Sequence, residues 1–175
     1  MKRLMYLFAL MGVAATVSAC DNAPTTPTTP SPEAPPAYTA TLLPSSEVPA
    51  VNGNEAGGSA TATLMFTLTK DAGGAVTAAT LDVTVNATGF PAGTALTGAH
   101  IHPGAAGTNG GVLVSLGLTA GEVTFATGSG SFTKRGIAVP VDQANSITAN
   151  PGGFYLNIHT AANPNGVARG QLVRN

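Results

Sequence analysis

Residues 59–69 read SATATLMFTLT, a nearly strict alternation of apolar and polar side chains. Successive side chains of a strand point to opposite faces of a sheet, so this pattern predicts a strand with one buried face and one solvated face. Residues 79–88 show the same alternation, and the turn-forming residues Asp71-Ala72-Gly73-Gly74 lie between the two segments. Together the two segments predict a long β-hairpin.

Shorter segments on both sides of this hairpin also read as strands. They are residues 38–43, 96–102, 112–118, 122–132, 154–159 and 167–173. Gly128 and Gly130 predict a bulge within residues 122–132. Residues 141–150 have the one helix-like composition of the domain and are followed by Pro151, which predicts about two helical turns. The sequence therefore predicts an all-β protein, an antiparallel Greek-key β-sandwich of seven or eight strands with at most one short helix.

The composition restricts the classes of function. Charged residues make up 9% of the 175 residues, with seven basic residues against eight acidic ones. Soluble domains usually contain about 25% charged residues, and nucleic acid binding needs a row of lysine and arginine, so we expect no nucleic acid partner. The sequence also has no Gly-x-Ser-x-Gly elbow, no phosphate-binding loop and no paired carboxylates. Common hydrolase and phosphotransfer chemistries are therefore not predicted.

The N-terminus has the features of an export signal. Lys2 and Arg3 precede an apolar run over residues 4–17, and Val17-Ser18-Ala19-Cys20 resembles a bacterial lipobox. The resemblance implies that residues 1–19 are removed and that lipid is attached to Cys20. A plain signal peptide or a transmembrane anchor is the alternative, although the apolar run is short for a membrane span.

A proline-rich segment separates Cys20 from the predicted domain. Residues 21–36 contain six prolines and no apolar periodicity, which is typical of an extended and solvated linker. The predicted organisation is a signal peptide over residues 1–19, a lipidated cysteine with its linker over residues 20–36, and a β-sandwich over residues 37–175. We expect the mature protein to be exported and held by lipid to a bacterial membrane, in the periplasm or at the cell surface.

The three histidines of the chain lie on two predicted strands. His100 and His102 flank Ile101, so strand alternation places both imidazoles on one face. The same alternation places Tyr155, Asn157 and His159 together on one face of the other strand. If the two strands are neighbours, the three imidazoles converge on one point.

Three neutral imidazoles with an open coordination position suit copper or zinc, and copper has the higher affinity for nitrogen ligands. We therefore predict a metal site formed by His100, His102 and His159. Tyr155 and Asn157 are predicted to support these ligands from behind. The alternative is that the three histidines are structural and hydrogen-bond to Asn157, Tyr155 and loop carbonyls.

Several motifs of the chain resemble the CHRD domain, a module repeated in chordin and found alone in many bacterial secreted proteins. They are Glu47-Val48-Pro49, Ala99-His100-Ile101-His102-Pro103-Gly104, Tyr155-Leu156-Asn157-Ile158-His159-Thr160, Asn163-Pro164-Asn165-Gly166 and Arg169-Gly170-Gln171-Leu172. Their order and spacing cover residues 38–174. The resemblance implies an immunoglobulin-like β-sandwich in an extracytoplasmic protein. It assigns no biochemical activity.

A fainter similarity is to copper-zinc superoxide dismutase, a Greek-key sandwich that also carries His-x-His on one strand. It implies that His100, His102 and His159 bind copper and that Arg169 attracts an anion. The chain has no fourth histidine and no disulfide, which excludes a zinc site of the dismutase kind.

Two functions and two roles for Arg169 therefore stay open. One function is copper binding with dismutase-like oxidoreductase activity. The other is a non-catalytic module of the cell envelope that binds a protein or a surface polymer. Arg169 either attracts an anion or pairs with a carboxylate or a carbonyl at the end of its strand.

Overall fold

The computed structural model describes residues 34–175, so the predicted signal peptide, Cys20 and most of the linker lie outside the described residues. The described residues form ten strands and one α-helix. In chain order these are β1 (Ala37–Leu42), β2 (Ser59–Lys70), β3 (Val76–Thr88), β4 (Thr94–Pro103), β5 (Val114–Ser115), β6 (Thr124–Phe125), β7 (Gly130–Val139), α1 (Val141–Ala149), β8 (Phe154–Thr160), β9 (Ala168–Gln171) and β10 (Val173–Arg174).

The first sheet has the strand order β10-β1-β2-β3-β7, and all its neighbours are antiparallel. The pairing of β2 with β3 runs from Ser59 opposite Thr88 to Lys70 opposite Val76, which confirms the predicted hairpin. Ala60, Ala62, Leu64 and Phe66 of β2 are buried, whereas its threonines and Met65 are exposed. Local alternation was sufficient to predict this hairpin because its outer face is solvated.

The second sheet has the order β5-β4-β8-β9, and β6 also pairs with β4. Leu43, just after β1, exchanges backbone hydrogen bonds with Arg169 of β9, with N–O distances of 3.0 and 3.3 Å. This bridge joins the second sheet to the first beside the histidine-bearing strands.

The core lies between the two sheets. Leu42, Phe66 and Leu81 from the first sheet and Ile101 and Leu156 from the second are fully buried in one apolar cluster. The antiparallel β-sandwich predicted from the sequence is therefore confirmed. The single short helix is confirmed as well, and α1 adds Ala144 and Ile147 to the core.

Three predicted strands differ from the observed ones. Only Val114–Ser115 of residues 112–118 pairs as a strand, because Gly117 leaves the extended region with a φ of 65°. Residues 167–173 divide at Leu172 into β9 and β10, which belong to different sheets. Alternation identifies an extended segment but carries no information about the sheet to which it belongs.

Residues 122–132 are not one strand with a bulge, so that prediction was wrong. Gly128 has a φ of 81° and turns the chain, so that β6 pairs in the second sheet and β7 in the first. The bulge lies further along β7, where two residues, Arg135 and Gly136, face Asp82. Asp82 Oδ1 accepts a hydrogen bond of 2.8 Å from the Gly136 N–H at that position.

Within residues 34–175, no helix has both the length and the apolar character needed to cross a membrane.

Candidate metal centre

The two histidine-bearing strands are neighbours. In the register of β4 with β8, His102 lies opposite Tyr155, His100 lies opposite Asn157, and His159 lies opposite Gly98. Directly opposed residues project from the same face of a sheet, so all three imidazoles lie together. One ring nitrogen from each histidine can be chosen such that all three atoms lie within 4.8 Å of one another. The predicted convergence of the histidines is thus present in the structure.

His102 has a fixed tautomer. Its Nδ1 lies 3.0 Å from the carbonyl oxygen of Gly110, and a carbonyl only accepts, so Nδ1 carries the proton. The Nε2 atom then keeps its lone pair. This atom is buried and has no hydrogen-bond partner. A buried acceptor without a partner is unfavourable, and a metal ion at this position would satisfy it.

His159 is oriented in the same way. Its Nδ1–H donates to the carbonyl oxygen of Pro164 at 3.0 Å, which leaves the lone pair of Nε2 directed at His100. His100 Nδ1 lies 3.0 Å from that nitrogen and donates to it. No hydrogen bond to a carbonyl fixes the His100 ring, which is also the most exposed of the three. The cluster therefore combines two rings fixed by backbone carbonyls with one adjustable ring.

Burial lowers the pKa of all three histidines, because it disfavours the charged imidazolium. The pKa of His100 falls to about 4, through desolvation first and then through the neighbouring His159 and His102. The hydrogen bonds from His102 and His159 to backbone carbonyls act in the opposite direction and are weaker than desolvation. The three rings are thus neutral at pH 7, the state that binds metal ions.

Tyr155 lies directly behind His102. The two rings stack with their centroids 5.1 Å apart and their planes 8° from parallel. The Tyr155 hydroxyl accepts a hydrogen bond of 3.2 Å from the N–H of Gly110, the same residue whose carbonyl holds His102. A Cβ at Gly110 would lie 1.8 Å from the carbonyl oxygen of Pro103, so no larger residue fits there. Tyr155 therefore positions His102 through its ring and through this loop.

Arg169 is buried beneath the site, with 2% of its surface exposed. Its Nε donates to the Ser46 carbonyl at 2.6 Å, and its Nη1 donates to the Thr108 carbonyl at 3.2 Å and to Asn109 Oδ1 at 2.7 Å. The guanidinium carbon lies 4.6 Å from the centroid of the Tyr155 ring. These contacts agree with the alternative in which Arg169 pairs with carbonyls. Anion attraction by Arg169 stays a prediction, and the burial of the side chain disfavours it.

Asn157 lies between the histidines and a buried acid that the sequence did not single out as a site residue. The Asn157 amide donates to the Asn165 carbonyl at 3.4 Å, while its Oδ1 has no partner. A Cβ at Gly166 would come within 2.7 Å of both Asn157 Oδ1 and Glu47 Oε1, so these two oxygens face one small space. In the sequence, this acid stood out only as part of the motif Glu47-Val48-Pro49. Nothing in the motif indicates that the Glu47 side chain is buried.

Glu47 is 7% exposed, and its Oε2 lies 4.0 Å from the Nε of Arg169. Desolvation raises the pKa of Glu47 to about 7, and the positive charge of Arg169 offsets part of this increase. The carboxyl group therefore stays protonated to a higher pH than an exposed glutamate does.

The histidines form the floor of an open cleft of about 860 Å³. Its walls are three loops that the sequence did not identify as parts of a site, residues 47–52, 109–112 and 162–166. A cleft of this volume is in the range of small-molecule sites and is far larger than a single water or a diatomic ion requires.

Fold and site together define an antiparallel β-sandwich protein with a three-histidine cluster at the base of an open cleft. The chain belongs to the CHRD domain family, because the model of that family, described as the CHRD domain, matches residues 38–172. No curated protein and no solved structure matches the chain. The resemblance stated from the sequence motifs is thereby confirmed, whereas the fainter similarity to superoxide dismutase receives no support from these comparisons.

Proposed function

We propose that this CHRD domain protein binds one transition metal ion, copper in preference to zinc, through His100, His102 and His159. The observation that carries the proposal is the convergence of the three rings, together with the Nε2 of His102, which is buried and has no hydrogen-bond partner. Divalent copper binds nitrogen donors more tightly than the other first-row divalent ions, which favours copper. Zinc also accepts three histidines with an open position and is the alternative.

The proposal extends to the place of action. The lipobox-like Val17-Ser18-Ala19-Cys20 supports export and attachment of lipid to Cys20, followed by the proline-rich linker. The domain would then act outside the cytoplasm, tethered to a bacterial membrane. Replacement of Cys20 by alanine should release the protein from the membrane fraction and abolish the uptake of labelled fatty acid. Retention of the variant, with no labelling of the wild type, would contradict lipid anchoring.

Superoxide dismutation is the redox activity that we propose for a copper-loaded site. Copper can cycle between two oxidation states. His100 is partly exposed to the cleft, so the site is accessible from the cleft. Among the described residues, Glu47 is the one carboxyl group that lines the cleft and no lysine or arginine lines it, while Arg169 is buried beneath it. Attraction of an anion is therefore weak, and we expect turnover well below the diffusion limit.

The metal proposal is tested by titration of the full chain, purified in detergent without metal, with Cu(II). We expect about one equivalent to bind and nitrogen hyperfine structure to appear in the electron paramagnetic resonance spectrum. The hyperfine structure should change in each single His→Ala variant and disappear in the triple variant. A control variant, Thr67→Ala on the solvated face of β2, should bind like the wild type. Equal binding by the wild type and the triple variant would overturn the proposal.

A non-catalytic binding module of the envelope is the second candidate function. It is favoured by the hydrogen bonds of His102 and His159 to loop carbonyls, which give both rings a structural role without metal. Its partner would be an envelope protein or a surface polymer. Retention of such a partner by the full chain in the presence of a chelator would favour this function, whereas its loss on metal removal would favour the metal-dependent one.

A further inference from the structure

The loop between β8 and β9 determines how His159 is oriented. Residues 161–167 connect the two strands, and Pro164 in this loop supplies the carbonyl oxygen that accepts from His159 Nδ1 at 3.0 Å. This carbonyl fixes the tautomer only while it stays beside the ring, because the neutral imidazole has one proton that either nitrogen can carry. The position of the loop therefore decides whether Nε2 of His159 keeps its lone pair.

Glu55 contacts this loop from a distant part of the chain. It lies in a short 3-10 helix, Asn54–Gly57, between β1 and β2 of the first sheet. Its Oε2 accepts a hydrogen bond of 2.8 Å from the Thr160 hydroxyl and another of 2.5 Å from Asn163 Nδ2. One carboxylate oxygen thus joins the last residue of β8 to the middle of the loop.

The backbone transmits this contact from Asn163 to the carbonyl that orients His159. The Asn163 N–H also donates to Thr160 Oγ1 at 3.1 Å, which fixes the residue from its backbone side. Pro164 follows directly, and its ring fixes its own φ and restricts the backbone of the residue before it. Few free torsions therefore separate Asn163 from the Pro164 carbonyl, so a residue that fixes Asn163 also fixes that carbonyl.

We propose that Glu55 is a positioning residue for the candidate metal centre, which keeps His159 in the tautomer that presents Nε2 to a metal ion. It acts through Asn163 and the Pro164 carbonyl. This inference rests on the proposed function and adds a residue that supports the same site. Without the carboxylate the loop moves, and His159 exchanges between two tautomers. The tautomer with its proton on Nε2 cannot bind a metal ion through that atom.

The first experiment needs no metal. The full chain, purified in detergent with isotope-labelled histidine, is studied by nitrogen NMR, because protonated and unprotonated ring nitrogens differ widely in chemical shift. The signals of His159 are identified by their loss in His159→Ala. We expect one tautomer in the wild type, with the proton on Nδ1, and a mixture of both tautomers in Glu55→Ala. His102 is the internal control, because its Nδ1 donates to Gly110 outside this loop and should not change.

The second experiment measures copper affinity in the same variants. Glu55→Ala should lower it about tenfold, as expected when a group that orients a ligand is removed. Glu55→Gln should recover most of this loss, to within about threefold of the wild type, because one amide oxygen can accept both hydrogen bonds but carries no charge. The matched control is Glu122→Ala, since Glu122 also accepts bonds from a backbone N–H and a side chain but does not line the cleft. It should leave copper affinity unchanged.

Asn163→Ala tests the same contact without changing the acid. It keeps the bond between Thr160 and Glu55, so the buried hydroxyl of Thr160 retains its acceptor. We expect a smaller loss of copper affinity than in Glu55→Ala, about threefold, with both His159 tautomers again present. If Glu55→Ala does not fold, this variant and Glu55→Gln decide the question.

The outcomes separate this inference from the proposal on which it rests. Failure of the wild type to take up copper would contradict the metal site, whereas a mixture of tautomers in Glu55→Ala would still support the contact between Glu55 and His159. Copper uptake by the wild type, with one tautomer and unchanged affinity in Glu55→Ala, would overturn only the positioning role. Equal losses in Glu55→Ala and Glu55→Gln would overturn it too, because they would assign the effect to charge.

Discussion

The two sheets of the sandwich differ in how far their polar side chains are buried. In β2 of the first sheet, buried apolar residues alternate with exposed threonines, and the outer face is open to solvent. In β8 of the second sheet, every residue after Phe154 is buried, although Tyr155, Asn157 and His159 are polar. The outer face of β8 is covered by the loops that form the cleft. Burial of polar groups therefore marks the sheet that carries the candidate site.

This difference has an energetic consequence. A threonine on a solvated face keeps its hydrogen bonds to water, so its replacement changes little. A buried polar group loses those bonds and depends on a protein partner or a bound ion. Because several polar atoms beneath the cleft have no partner, we expect the second sheet to respond strongly to substitutions, pH and metal, and the first sheet to respond weakly.

The largest difference is expected in the free energy of unfolding, between substitutions of two cationic side chains. They are Arg169 on the second sheet and Lys134 on the first. Arg169→Met leaves three carbonyl or amide acceptors without their donor and Glu47 without its cation, so we expect a loss of about 3 kcal/mol in the free energy of unfolding. Lys134→Met breaks the Lys134–Glu122 ion pair of 2.6 Å, whose carboxylate side chain is 41% exposed and screened by water, so we expect a much smaller loss than for Arg169→Met. Denaturation in urea measures both. Equal losses would contradict the proposed difference between the sheets.

The second prediction concerns how the stability of the metal-free chain depends on pH through the buried groups of the candidate site. Folding lowers the pKa of the three histidines, so the unfolded state binds more protons below about pH 6.5, and stability falls as the pH decreases toward 4. Folding raises the pKa of Glu47 from 4.5 to about 7, so its contribution has the opposite sign and is lost as the pH rises through 7. Three desolvated histidines act against one carboxyl group, and we expect a net loss of stability between pH 7 and pH 5.

The opposite signs give this prediction an internal control. Replacement of all three histidines by glutamine leaves Glu47 as the buried group with the largest remaining shift, so stability should then increase as the pH decreases from 7 to 5. Thermal unfolding at several pH values measures both chains. The same pH dependence in both chains would show that the histidines are not desolvated.

Tyr155→Phe tests a single hydroxyl group on the second sheet. The variant keeps the ring that stacks on His102 but removes the acceptor for the Gly110 N–H. We expect a loss of about 1 kcal/mol in stability and of about tenfold in copper affinity, because the loop that orients His102 loosens. Thr84→Val removes a hydroxyl from the 3.0 Å Thr84–Thr133 contact on the first sheet and should leave copper affinity unchanged. An equal effect of the two variants on copper affinity would contradict the positioning role of Tyr155.

The smallest effect is expected from a methyl group placed beside His100. A Cβ at Gly98 would lie 2.9 Å from Cε1 of His100, so Gly98→Ala should displace this adjustable ring and lower copper affinity a few-fold. Gly152→Ala is the control, because nothing lies within 4 Å of the corresponding Cβ. Copper titration distinguishes the two. Unchanged affinity in Gly98→Ala would show that His100 is not a ligand.

The regions that the sequence predicted well are those in which apolar and polar residues alternate against solvent. The β2–β3 hairpin and the short helix α1 follow from local periodicity and from the turn residues beside them. Most of β7, beyond residue 132, was missed because Lys134, Arg135 and Gly136 interrupt its alternation at the bulge. Strands β5 and β6 have two residues each and are defined by their pairing with β4, which no local pattern predicts.

For the site, the sequence by itself determined which side chains share a face, because alternation along a strand is fixed by the covalent geometry of the chain. That was sufficient to group His100 with His102, and Tyr155 and Asn157 with His159. Only the tertiary structure decided that β4 pairs with β8 in the register that brings the two groups together. It also decided that loops cover this face, which buries Glu47 and Arg169, shifts the histidine pKa values and fixes two tautomers. Strand pairing, desolvation and hydrogen bonds to distant carbonyls depend on residues far apart in the chain, and no local pattern specifies them.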